Sequence, residues 1–125
     1  MLIHIGYSKA GSTWLQYNLR RPESGFFEPG REREDELPFL DFVLENSLDF
    51  NPKPYRDAFL RRASNPLFAG KVPLLSRERF AGQWFSGGYD SKEIADRLHA
   101  TFPEAKILII IREQRRMLSS VYRQY

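Results

Sequence analysis

Apolar positions fall into runs whose spacing changes along the chain, and those changes predict the elements. Leu2-Ile3-His4-Ile5, closed by Gly6, is a short continuous run that reads as a strand buried on both faces, with His4 packed in the core. From Ser12 to Arg20 the period becomes helical, with Trp14, Leu15 and Leu19 along one side. Gly11 or Ser12 can cap that helix and Pro22 stops it. Glu23 to Leu37 is punctuated by glycine and proline and crowded with charge from Arg31 to Glu36, the pattern of a solvated loop. Pro38 suits the first turn of a helix carrying Phe39, Leu40, Phe42, Val43 and Leu44. Asn51-Pro52-Lys53-Pro54 reads as a break. Tyr55 to Ala63 then predicts a helix with Tyr55, Phe59 and Leu60 inward and Arg56, Arg61 and Arg62 outward. A strand is expected at Val72 to Leu75, and an aromatic, glycine-rich loop from Gly82 to Tyr89. Asp90 opens the next helix, Glu93 completes a capping box, and Ile94, Ala95, Leu98 and Phe102 face inward, with His99 beside them. Lys106 to Ile111 is the clearest strand, an unbroken apolar run typical of the centre of a parallel sheet. Gln114 to Tyr125 is helical in pattern, with Met117, Leu118 and Val121 on one face.

Strands alternating with helices predict an α/β fold, a parallel sheet flanked by helices in three layers. Ligands of such sheets bind at the C-terminal ends of the strands. Gly6 to Gly11, Ser76 to Glu78, and Arg112 all fall at such ends. The 125 residues suit one domain spanning the whole chain. No apolar run approaches the ~20 residues that span a bilayer, and no basic leader precedes the first strand, so neither a membrane span nor a signal peptide is expected. The absence of cysteine excludes disulfides and thiolate metal sites and fits a reducing compartment, so a cytoplasmic location is expected. The two histidines, His4 and His99, are too far apart in sequence to suggest a metal cluster. A net charge of +3 is no nucleic-acid footprint.

The chemistry is concentrated in the first turn. A strand, a Gly- and hydroxyl-rich turn and a helix start aim backbone N–H groups at a phosphate. The spacing Gly6-x-x-x-x-Gly11 invites comparison with the P-loop, but Ser12 stands where that motif has lysine. The loop's lysine is Lys9, inside the turn, which suits a ligand with a shorter phosphate chain. The order Lys9-Ala10-Gly11-Ser12-Thr13-Trp14-Leu15 resembles the 5′-phosphosulfate loop of the sulfotransferases, roughly Pro-Lys-x-Gly-Thr-Thr-Trp/Ser-Leu. It departs at Ser8, where the family has Pro, and at Ser12, which keeps the hydroxyl. Arg112, with Ser120 eight residues on and Tyr122 after it, resembles the family's 3′-phosphate site. Gln114 replaces the usual Pro there and Met117 the internal arginine. Leu74 to Phe80 resembles the Ser-x-Glu strand end of bacterial sulfotransferases. The three motifs come in family order. They span the chain but only the N-terminal half to two-thirds of a typical member.

The resemblance implies a P-loop-like sulfotransferase fold and a sulfuryl transfer from 3′-phosphoadenosine 5′-phosphosulfate (PAPS) to an acceptor hydroxyl or amine, on a small molecule or carbohydrate, with no metal. Lys9 would hold the leaving phosphate oxygen. The amides of Ala10, Gly11, Ser12 and Thr13, with the Ser12 and Thr13 hydroxyls, would cradle the 5′-phosphate. Arg112 and Ser120 would take the 3′-phosphate, since a guanidinium gives a phosphate two parallel hydrogen bonds. Alternatively Arg112 pairs with Glu113 or Glu104. Trp14 would pack on the adenine, or else anchor the first helix in the core. Glu78 is the candidate general base, or else a salt-bridge partner of Arg77 or Arg79. Two rival readings are a kinase-like P-loop enzyme and an inactive, truncated nucleotide-binding or interaction module. With three strands and a last helix that reaches Tyr125, the domain is expected to be incomplete at its C-terminus. Apolar surface should then lie uncovered beside the last strand and helix, favouring self-association.

Overall fold

In a computed structural model the described residues are 1–7, 9–29 and 39–123. Four strands form one parallel sheet: β1 (Leu2–Gly6), β2 (Phe26–Phe27), β3 (Val72–Arg77) and β4 (Lys106–Ile110), in the order β2-β3-β1-β4. The helices are α1 (Ser12–Leu19), α2 (Phe39–Leu44), α3 (Pro52–Ala63), α4 (Ser91–Thr101) and α5 (Gln114–Tyr122). The fold is α/β with a parallel sheet flanked by helices, as the alternation predicts. Among the described residues no helix is long and apolar enough to cross a membrane.

Register divides the side chains between two faces. Ile3 lies beside Leu75 and Ile107, and His4 beside Ser76 and Leu108. Successive residues of a strand point to opposite faces. Ile3 and Leu75 therefore share one face, where they are fully buried against Phe42 and Val43 of α2, Phe59 of α3, and Ile94 and Leu98 of α4. His4 and Ser76 share the other, toward α1, whose Gln16 side chain donates to the Ser76 hydroxyl at 3.0 Å.

Several expectations need correction. The stretch read as a solvated loop after Pro22 contributes β2: Phe27 and Pro29 are buried, and Glu28 is held by Arg20 at 2.7 Å and by Arg77. The rest of that stretch, with Pro38, lies outside the described residues. The break at residues 51–54 is instead the first turn of α3. Asn51 caps it by accepting from the Lys53 N–H, and prolines suit a first turn, whose N–H groups have no intrahelical acceptor. Tyr55 and Phe59 point inward, but Leu60 is 45% exposed. The third strand runs on to Arg77. The Asp90–Glu93 capping box does not form. Asp90 has φ −91° and ψ 1°, away from the extended backbone of a capping residue, and its carboxylate turns back to the Gln83 N–H and to Arg79. Glu93 instead meets Ser47 and Arg97. Ala95 faces solvent, and the inward position beside Leu98 belongs to Arg97. Arg97 is buried because its guanidinium donates to the Phe42 carbonyl at 2.8 Å and lies over the Phe50 ring, stitching α4 to α2. The strand read as central, β4, is the last in the strand order, with Ile107 50% and Ile109 54% exposed.

Candidate functional site

The loop after β1 turns tightly. The Ala10 N–H donates to the Tyr7 carbonyl at 3.1 Å, Lys9 takes a left-handed φ of 63°, and Gly11 has φ 96°. Gly11 stands at the N-cap of α1 with no side chain to cap it, and among the described residues no side chain is seen to do so, so the first-turn amides are left for another acceptor. Thr13 is exposed and Trp14 is 71% exposed, so Trp14 does not anchor α1; the half-buried Leu15 and Leu19 hold the helix instead. Ser12 faces inward at 2% exposure, and its hydroxyl has no partner among the described residues.

Arg112 follows β4 and sits against this loop. Its Nη1 donates to the Lys9 carbonyl at 2.9 Å. The alternative pairing with Glu113 does not form: the Glu113 carboxylate caps α5, accepting from the Arg115 and Arg116 amides at 3.0 and 2.9 Å. An open groove of about 440 Å³ is lined by Arg112, Arg115, Arg116, Ser119, Ser120 and Arg123. The Ser119 hydroxyl is tied to the Arg115 carbonyl at 2.9 Å, so among the described residues Ser120 is the helix hydroxyl in this groove without such a bond. Among the described residues the lining holds no carboxylate, and guanidinium and hydroxyl donors together suit a phosphate.

Beside it, a second cavity of about 420 Å³ is lined by Tyr7, Glu78, Arg79, Ala81, Gly82, Gln83, Gly87, Gly88, Ser91 and Met117. Glu78 is exposed at the start of the turn after β3. The expected partner Arg79 pairs with Asp90 at 2.6 Å, and Arg77 pairs with Glu28. One wall is firmly knit. The Ser91 hydroxyl donates to the Ala81 carbonyl at 2.7 Å, and Asp90 accepts from the Gln83 amide at 2.8 Å. Burial alone would raise the Asp90 carboxyl, but the bonds from Gln83 and Arg79 outweigh it and hold it below the ordinary range. Gly82, at φ 95°, has no room for a side chain: a Cβ would stand 2.3 Å from the Ser91 hydroxyl.

The fold thus brings together the loop, the Arg112 end of β4, Ser120 and Glu78 at the C-terminal side of the sheet. Sequence reasoning missed the polar chain beneath the loop. His4 Nδ1 lies 2.7 Å from Ser76 Oγ, and both residues are fully buried. Burial, then the nearby Arg20, hold the His4 imidazole below its ordinary range, with Glu28 opposing. The signal for this pair is the matching register of two polar residues in apolar strands, legible only once β1 is known to lie beside β3. Among the described residues no group of three or more histidines and carboxylates could hold a metal ion.

No protein-family model, no curated protein and no solved structure matches the chain.

Proposed function

We infer that the chain is a PAPS-dependent sulfotransferase, in the P-loop-like fold of that family, moving a sulfuryl group to a hydroxyl or amine of a small-molecule or carbohydrate acceptor. One observation carries the reading. Arg112 donates to the Lys9 carbonyl at 2.9 Å, so the two motifs that resemble the family's 5′- and 3′-phosphate sites adjoin. A nucleotide with phosphates at both ribose ends is the ligand that would engage them together.

In this reading the uncapped amides of α1, with the Thr13 hydroxyl, receive the 5′-phosphate. Arg112 and Ser120 receive the 3′-phosphate, and the exposed Trp14 ring offers the adenine an apolar face. Sulfuryl transfer forms a bond from the acceptor oxygen or nitrogen to sulfur and breaks the bond from sulfur to the 5′-phosphate oxygen. Glu78, at the cavity beside the loop, takes the acceptor proton. The Lys9 ammonium meets the negative charge that gathers on the leaving oxygen, where a placed cation lowers the barrier most.

Equilibrium titration with 3′-phosphoadenosine 5′-phosphate, 5′-AMP and ATP tests this. A charged hydrogen-bonded contact contributes about 1.5–3 kcal/mol, so the 3′-phosphorylated nucleotide should bind roughly ten- to a hundredfold tighter than 5′-AMP. Arg112→Ala should erase that preference and weaken 5′-AMP far less, since 5′-AMP loses only the support that Arg112 gives the Lys9 carbonyl of the loop. Equal affinity for the two nucleotides rejects the reading, and a preference for ATP selects the kinase-like one.

A further inference from the structure

Beneath the phosphate-facing loop two buried polar atoms lack partners among the described residues, His4 Nε2 and Ser12 Oγ. Both flank the same spot. A Cβ on Gly6 would stand 2.1 Å from Ser12 Oγ and 3.2 Å from His4 Nε2. Only glycine at this position lets both side chains come this close to the backbone. Buried polar atoms without partners are rare, and two around one point call for an explanation.

The other end of the imidazole supplies it. Gln16 Nε2 can only donate, and it donates to Ser76 Oγ at 3.0 Å. The Ser76 hydroxyl has one proton of its own, and His4 Nδ1 lies 2.7 Å away. The set is best satisfied when Ser76 donates to Nδ1, which places the ring proton of neutral His4 on Nε2, facing Gly6. The geometry assigns His4 as a positioning residue: its Nε2–H is the donor facing the Ser12 oxygen across Gly6, and when an anion settles on the loop the two close into a hydrogen bond that leaves the Ser12 proton for the anion. The sequence Gln16, Ser76, His4, Ser12 is then a chain of donors running from α1 through the sheet to the loop. The burial that disfavours a charged imidazole keeps it in the neutral form such a chain needs. In naming the anion as a nucleotide 5′-phosphate this inference rests on the reading above. The donor chain does not.

Two measurements test it. The first is the tautomer of His4 in the free chain, read from two-bond ¹H–¹⁵N couplings. A proton on Nε2 is expected, and one on Nδ1 overturns the assignment whatever the chain binds. The second compares His4→Gln, whose amide nitrogen reaches the Nε2 position, with His4→Asn, which reaches only Nδ1. The probes are 3′-phosphoadenosine 5′-phosphate and inorganic phosphate. His4→Gln should stay within about threefold of the parent, while His4→Asn and Ser12→Ala each weaken both probes about tenfold. His4→Asn should add nothing in a Ser12→Ala background. Equal losses in the two His4 variants, or additive losses with Ser12→Ala, indicate a merely structural histidine. If His4→Asn fails to fold, the tautomer decides. A parent chain that binds phosphate but does not prefer 3′-phosphoadenosine 5′-phosphate over 5′-AMP rejects the nucleotide reading, and the phosphate arm still judges His4. A parent that binds neither probe overturns both.

Discussion

Lys9 joins backbone strain to a proposed chemical role in one residue. Its left-handed φ of 63° is one a side chain resists. A Cβ in that region costs about 1–2 kcal/mol, whereas the extra freedom of a glycine in the unfolded chain costs about 0.5–1 kcal/mol. Lys9→Gly should therefore match the parent or exceed it by up to about 1.5 kcal/mol in urea unfolding. Lys9→Ala, which keeps its Cβ, should gain nothing. Both should abolish sulfuryl transfer, since neither offers a cation. Turnover within a few-fold of the parent in either variant removes Lys9 from the reaction. The lysine and its spacing were legible because loop motifs are local in sequence. The partner of Arg112 was not: a carbonyl 103 residues away leaves no trace in the flanking residues, and the nearby Glu113 offered a false one.

At the scale of elements, the turns after β3 hold together through one carboxylate. Asp90 accepts from the Gln83 amide and from Arg79, and the two bonds outweigh its burial. Its folded-state affinity for a proton is thus below the unfolded value of 3.8. The stability this supplies is complete above that value and is lost as pH falls through the lowered folded value. Urea midpoints recorded between about pH 5 and pH 2.5 should fall more steeply for the parent than for Asp90→Asn, which has no proton to gain. Parallel curves would show that Asp90 carries no such linkage. Sequence placed α4 correctly and misassigned its cap because Asp and Glu three residues apart suit a capping box and a loop clasp alike. β2 escaped for a related reason. Two phenylalanines beside dense charge look solvated until Arg20 and Arg77 are seen to neutralise Glu28.

Across the whole molecule the sheet is covered unevenly. Ile3 and Ile107 are neighbours in register on one face, yet Ile3 is fully buried and Ile107 half-exposed. Helices α3 and α4 lie over the β1 and β3 side of that face and leave β4 open. Ile3→Ala should cost about 2–5 kcal/mol. Ile109→Ala, at a site 54% exposed, should cost about 1 kcal/mol, since roughly half of the side chain's burial is at stake. Equal losses in urea unfolding would mean that β4 is covered in solution as β1 is. The apolar run of β4 predicted a strand correctly and its central place wrongly. Hydrophobicity records what a strand can bury, and its position in the sheet depends on which neighbours pair with it.

The bond from Arg112 to the Lys9 carbonyl also sets an order of events. It joins residues 103 apart, so the intervening chain must be gathered before it can form. β1 can pair with β3 while Arg112 is still distant, and in that state the loop lacks its second wall. The cleft between them exists only once β4 lies against β1. A ligand that bridges the two motifs therefore has nothing to hold during folding and much to hold afterwards. Such a ligand would act as a latch on the finished sheet, slowing its opening and leaving the speed of its assembly unchanged.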